Sequence, residues 1–279
     1  MSDVIGQVRE VVMERAGCRL RAWVCGPETA PLVVLVHGAT MDHRMFDAQV
    51  APLLEAGYRV MTTDLRGHGV SKPIGLVPVQ VSDLAEDVLA LVDEVAADRF
   101  VVVGQSLGAY VAQDLVLRYP RRILALGVIG ATCTTAPISR AELVLLRSSL
   151  LWFRWWPYGH LQGLMATSLA ISPGVRAYAR EAMGALSKQE FLVVWGAVTR
   201  VPRPRPGYRI EHPLLLTHGD QDRTGTISRS APAWAARDPR ARYEVIPHAR
   251  HNANQDSPAF FNRVLVEFLV EHAPAGRAR

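Results

Sequence analysis

Short runs of branched aliphatic residues alternate along this chain with longer stretches in which apolar residues recur every three or four positions. Leu32 to Val36 is apolar throughout, the pattern of a strand covered on both faces. Tyr58 to Thr63 and Phe100 to Val103 predict strands of the same kind, and Ile123 to Ile129 a weaker one. Between them, Val81 to Ala97 sets Leu84, Val88, Leu91, Val92 and Val95 at helical spacing, with Ser82 or Asp83 as the expected cap. Leu107 to Tyr119 predicts a second helix, closed by Pro120. Such alternation predicts a mostly parallel sheet with helices on both faces.

The pattern breaks over residues 134–207, a helix-like stretch that holds Trp152, Trp155, Trp156 and Trp195. It ends in Pro202-Arg203-Pro204-Arg205-Pro206-Gly207, where a helix cannot continue. The strands Leu214 to Thr217 and Tyr243 to Ile246 then resume the first pattern, followed by a helix from about Pro258 to Glu271. The expected organisation is one α/β domain built from residues 1–133 and 208–279, with 134–207 inserted into it.

Composition narrows the possibilities. Of the 279 residues, 49% are hydrophobic and 20% charged, a balance that excludes disorder and fibrous classes. No apolar run reaches the roughly 18 residues that a membrane-spanning helix needs, and the N-terminus does not read as a secretory signal. Cys18, Cys25 and Cys133 are too few and scattered for a disulfide framework or a thiolate metal site, so a reducing cytoplasm is the default compartment. The net charge of +5 rests on arginine, Lys72 and Lys188 being the only lysines. The arginines are dispersed, with local clusters at Arg203 with Arg205 and at Arg277 with Arg279, which argues against a nucleic-acid partner.

Candidate chemistry lies on the loops after the strands. Gly104-Gln105-Ser106-Leu107-Gly108 sits between a predicted strand and a predicted helix, the context of a strained turn that presents a nucleophilic serine. A serine hydroxyl needs a base, and the base needs orienting. His251 follows the strand ending at Ile246 and precedes Pro258; His248, on the same loop, competes with it, whereas His37 and His218 read as structural. Asp220 and Asp222 both follow the strand Leu214 to Thr217 and are candidates for the orienting acid.

These motifs, with His37-Gly38-Ala39-Thr40 and Asp64-Leu65-Arg66-Gly67-His68-Gly69-Val70-Ser71, occur in an order that resembles the α/β-hydrolase superfamily over residues 20–132 and 208–272. The resemblance implies a catalytic triad of Ser106, Asp222 and His251, with the Ala39 and Leu107 amides as the oxyanion hole. It implies that residues 134–207 form a helical cap, and that no metal or cofactor is used. Thr40, Trp152, Trp155 and Trp156 are expected to contact substrate, which suggests a bulky hydrophobic or aromatic ester or lactone. Arg250 stands where the family often has glycine, and Gln105 where it often has histidine; Arg250 is expected to face solvent.

Dehalogenases and epoxide hydrolases of this fold use an aspartate nucleophile, which Ser106 argues against. Carbon–carbon bond hydrolases, perhydrolases and enol-lactonases share the triad and stay open as alternatives. So do cofactor-free dioxygenases, which Asp42-His43-Arg44 faintly resembles, a ligand receptor built on an intact hydrolase, and a homodimer.

Overall fold

The computed structural model describes residues 7–275. The arginines at 277 and 279 and the N-terminal segment Met1 to Ile5 lie outside them. Among the described residues, eight strands form one sheet in the order β1-β2-β4-β3-β5-β6-β7-β8. They are β1 (Arg9–Arg15), β2 (Cys18–Cys25), β3 (Leu32–Val36), β4 (Arg59–Asp64), β5 (Phe100–Gln105), β6 (Ile123–Ile129), β7 (Leu214–Gly219) and β8 (Ala241–Ile246). The pairs β1–β2 and β2–β4 are antiparallel, and every other pair is parallel.

Both faces of the central strands are covered. In β3, Val34 and Val36 belong to one buried cluster while Val33 and Leu35 belong to the other; in β5, Phe100 and Val102 oppose Val101 and Val103 in the same way. This two-residue alternation between two cores is why these strands show as unbroken apolar runs. On one side pack α2 (Val81–Glu94) and α3 (Leu107–Arg118), and on the other α1 (Asp47–Glu55) and α10 (Pro258–His272). The helix α2 starts one residue before the expected cap. The carboxylate of Asp83 reaches back from the first turn to accept the Gln80 amide at 2.8 Å, so it braces the helix start without being the cap residue.

Four helices occupy the chain between β6 and β7: α4 (Arg140–Trp155), α5 (Tyr158–Leu169), α6 (Pro173–Gly184) and α7 (Lys188–Thr199). They rest on the sheet domain through specific contacts. Tyr178 donates its hydroxyl to Asp42, Arg44 pairs with Glu181 at 2.8 Å, and Lys72 pairs with Glu190 at 2.8 Å. Beyond the insertion come α8 (Ile227–Arg237) and the short α9 (Ala253–Asp256). No helix among the described residues is long and apolar enough to cross a membrane.

Candidate active site

The candidate residues all follow the C-terminal ends of parallel strands: Ala39 after β3, Ser106 after β5, Asp222 after β7 and His251 after β8. Loops at that edge of an open α/β sheet converge on one crevice.

Ser106 joins β5 to α3 with φ 50° and ψ −111°, a conformation that costs a residue with a side chain roughly 1–3 kcal/mol. What holds it there is close packing without side chains. A methyl on Gly104 would strike the Gly108 carbonyl, and one on Gly108 would strike the carbonyl of Val36 on β3. The Ser106 amide is also tied to the Ile129 carbonyl at the end of β6, at 2.9 Å. Because α3 begins at Leu107, that residue's amide is among the four donors a helix leaves without an internal partner.

His251 and Asp222 are both buried, and His251 Nδ1–H donates to Asp222 Oδ2 at 3.0 Å. That contact fixes the tautomer with Nε2 as the free, basic nitrogen. The Thr224 amide holds the other Asp222 oxygen at 2.8 Å. Burial works to raise the Asp222 carboxyl. The facing imidazole, its hydrogen bond and those from Thr224 outweigh burial, so the group stays below the ordinary carboxylate range. Asp220, in contrast, is exposed and accepts the Ala249 amide at 3.0 Å, which makes it a brace for the histidine loop. His248 is exposed at a positive-φ position of the same loop. Of the two carboxylates and two histidines on these loops, Asp222 and His251 are the pair that is buried and in contact.

Gln105 has a role that sequence reasoning did not find. It is buried, its side chain fills the space where a Gly38 side chain would be, and its Nε2 donates to the His251 carbonyl at 3.1 Å. One amide therefore ties the loop after β3 to the loop that carries the histidine. His37 supports the same loop: it accepts the Leu65 amide at Nε2 (3.0 Å) and donates from Nδ1 to the Gly38 carbonyl (2.7 Å). Burial lowers its pKa, which suits a ring that must stay neutral to keep an acceptor nitrogen. Thr40 is buried at φ 67° and donates its hydroxyl to the Ala39 carbonyl at 2.5 Å, so it shapes the turn beside Ala39.

The expectation for the cap tryptophans needs correction. Trp152, Trp155 and Trp156 are 67%, 83% and 42% exposed, which is not the condition of an enclosed pocket lining. The inward side of α4 is taken by Phe153, stacked edge-on to Trp195 of α7 and tilted against Phe191, and by Ser149, which accepts the Trp195 indole N–H at 2.8 Å. Trp155, about 160° round the helix from Phe153, faces outwards, Trp152 is exposed on the flank, and Trp156 caps the helix end partly exposed. Arg250 is half-buried: its guanidinium donates to the Thr167 carbonyl of α5 at an exposed contact, and its amide to Asp256.

A cleft of about 470 Å³ opens beside α6, lined by Arg44, Asp47, Tyr178 and Glu181 among others, and none of Ser106, Asp222 and His251 lines it. Nearby, Asp42, His43 and Asp64 bring ligand-type atoms within 4.8 Å of one another. Both carboxylates are already engaged by protein donors. Asp64 accepts from the His43 amide and ring and from the Val70 amide, while Asp42 accepts from Arg44 and Tyr178. The cluster reads as a hydrogen-bonded brace and not as a cation site.

The profile of the Alpha/beta hydrolase family matches residues 33–264. The chain belongs to that family. The AB hydrolase superfamily protein YfhM of Bacillus subtilis is 26% identical over 91% of this chain and 95% of its own length. The 3-oxoadipate enol-lactonase 1 of Acinetobacter baylyi is 35% identical over 43% of this chain and 44% of its own. Epoxide hydrolase A of Mycobacterium tuberculosis is 32% identical over 45% of the chain, a match spanning only 39% of that relative. Among solved structures, a hydrolase from Pseudomonas aeruginosa superposes with a TM-score of 0.79 at 25% identity, covering 95% of this chain and 98% of that one. The hydrolase family's parallel sheet and flanking helices are therefore present from β3 to α10.

Proposed function

We propose that this α/β hydrolase cleaves carboxylic esters or lactones through an acyl-enzyme on Ser106. The observation that carries the reading is the buried His251–Asp222 hydrogen bond at the strand edge where Ser106 is held in a strained turn. Ser106 Oγ attacks the substrate carbonyl and its proton passes to His251 Nε2, while Asp222 stabilises the imidazolium. The oxyanion accepts hydrogen bonds from the amides of Ala39 and Leu107, donors fixed before the charge develops. Collapse breaks the carbonyl–oxygen bond, and His251 returns the proton to the leaving alkoxide. Water, deprotonated by the same ring, then attacks the acyl-enzyme, releasing the acid and restoring Ser106. In a lactone the alcohol remains tethered to the acid, and the steps are otherwise the same.

The relative named as an enol-lactonase supports the carbonyl reading. The relative named as an epoxide hydrolase supports the fold's competence for hydrolysis, whereas an aspartate nucleophile is absent at position 106. Trp152 and Trp155 are exposed, so they give no support to a bulky aromatic substrate. The test is labelling with a serine-directed fluorophosphonate alongside a panel of esters, lactones and epoxides. One label per chain, lost in Ser106→Ala together with ester and lactone turnover, is the expected result. Label retained by Ser106→Ala, or turnover of epoxides alone, would overturn the assignment.

A further inference from the structure

The outer face of α4 is an unusual surface for a protein of this size. No residue of the helix is buried, and Leu145, Leu151, Trp152 and Trp155 are each more than 60% exposed. At 3.6 residues per turn these side chains, with Val144, fall within an arc of about 120°, opposite the side that carries Phe153 and Ser149. Along one edge of that arc run Arg140, Arg147 and Arg154, seven residues apart and so nearly in line. Lys188 adds a charge at the C-terminal end, where its ammonium donates to the carbonyls of Arg154 and Trp156 at 2.6 and 2.8 Å.

The charge around this face is predominantly of one sign. On α4 itself Arg140, Arg147 and Arg154 stand against a single carboxylate, Glu142, and on α7, which packs against α4, Glu190 is paired with Lys72. Glu142, at the start of α4, is engaged in the helix cap and by Arg229. A symmetric pairing of two copies through this face would bring arginines towards their own counterparts, with no carboxylate on the patch to neutralise them. Exposed aromatic and aliphatic rings edged by arginine instead match an interface that is apolar below and negative above, with the indoles at headgroup depth.

We propose that the outer face of α4 docks on an anionic lipid surface, with Leu151, Trp152 and Trp155 entering the headgroup–acyl boundary and Arg147 and Arg154 meeting lipid phosphates. The helix lies in the plane of the interface and does not span it. The binding is independent of the Ser106 chemistry, and its test does not use activity.

The experiment is co-sedimentation of the purified full chain with vesicles of phosphatidylcholine and phosphatidylglycerol in equal parts, against vesicles of phosphatidylcholine alone. The chain should partition to the anionic vesicles, and less so as salt is raised. The double variant Trp152→Ser/Trp155→Ser should lower that partition roughly tenfold. Arg147→Gln and Arg154→Gln should each lower it about fivefold, the loss expected for one juxtamembrane charge. Arg121→Gln, which removes the same charge elsewhere, should leave it unchanged. Melting temperatures establish that every variant is folded, and the arginine variants test the proposal even if the tryptophan pair is not. No preference for anionic vesicles would overturn the proposal. So would partition that falls equally with Arg121→Gln, or self-association in sedimentation velocity that the α4 substitutions abolish.

Discussion

Asp220 and Asp222 stand two positions apart on one loop, yet only Asp222 is buried against an imidazole. Asp222→Asn would leave the ring free to take the wrong tautomer and should cost on the order of 10⁴ in kcat. Asp220→Asn removes only a brace on the Ala249 amide, and its kcat should fall by less than about tenfold. Steady-state kinetics on one ester substrate checks the ranking. A second carboxylate acts on stability. Burial works to raise the Asp64 pKa, but the His43 hydrogen bond, the His37 and His43 rings and the Val70 amide hold it below its ordinary value. A carboxyl whose pKa is depressed by folding stabilises the protein above the unfolded value, about pH 4, and loses that effect as pH falls through the folded value. Asp64→Asn should therefore destabilise the protein at pH 7 by about 2 kcal/mol. Its urea midpoint should converge with that of the unsubstituted chain below pH 4, in the range where the latter's Asp64 becomes protonated.

Helix α4 separates two kinds of aromatic residue that composition treats alike. Phe191 is fully buried between Phe153, Tyr158 and Trp195, so Phe191→Ala should cost about 3–5 kcal/mol. Trp155 is 83% exposed, and Trp155→Ala should stay within about 0.5 kcal/mol. Denaturant titration of the two variants checks the contrast. The sequence could not make this distinction, because rings at 152, 153, 155 and 156 fall within about 160° of one turn and their spacing alone does not say which of them is turned inwards. Strands β3, β5 and β7 read directly because both their faces are buried. Strands β1 and β2 did not, because the sheet edge leaves alternate positions to Arg9, Arg19 and Arg21. Helices α1 and α8 contain Pro52 and Pro232, which broke the helical signal. Motif order was enough to bring Ser106, Asp222 and His251 forward. The clamp by Gln105 was not visible, since nothing local marks a contact with residues 67 and 146 positions away.

Across the whole molecule, the crossing of β3, β5 and α3 is held by backbone against backbone at Gly104 and Gly108, without any contribution from the hydroxyl between them. Gly108→Ala should abolish soluble expression, because its methyl would meet a carbonyl of the central sheet and neither can retreat. Ser106→Gly should behave in the opposite way, removing activity while raising stability by about 1 kcal/mol as the left-handed strain is relieved. Melting curves and soluble yield distinguish these outcomes. The crossing thereby divides mutational tolerance between adjacent positions. A library randomised at 104, 106 and 108 should return glycine alone at the outer two among soluble clones, and a broad range of residues in the middle. A lineage carrying such a turn can replace its reacting group in a single step without solving the folding problem again. Under the proposed mechanism, the backbone that presents the serine is also what leaves its chemistry open to change.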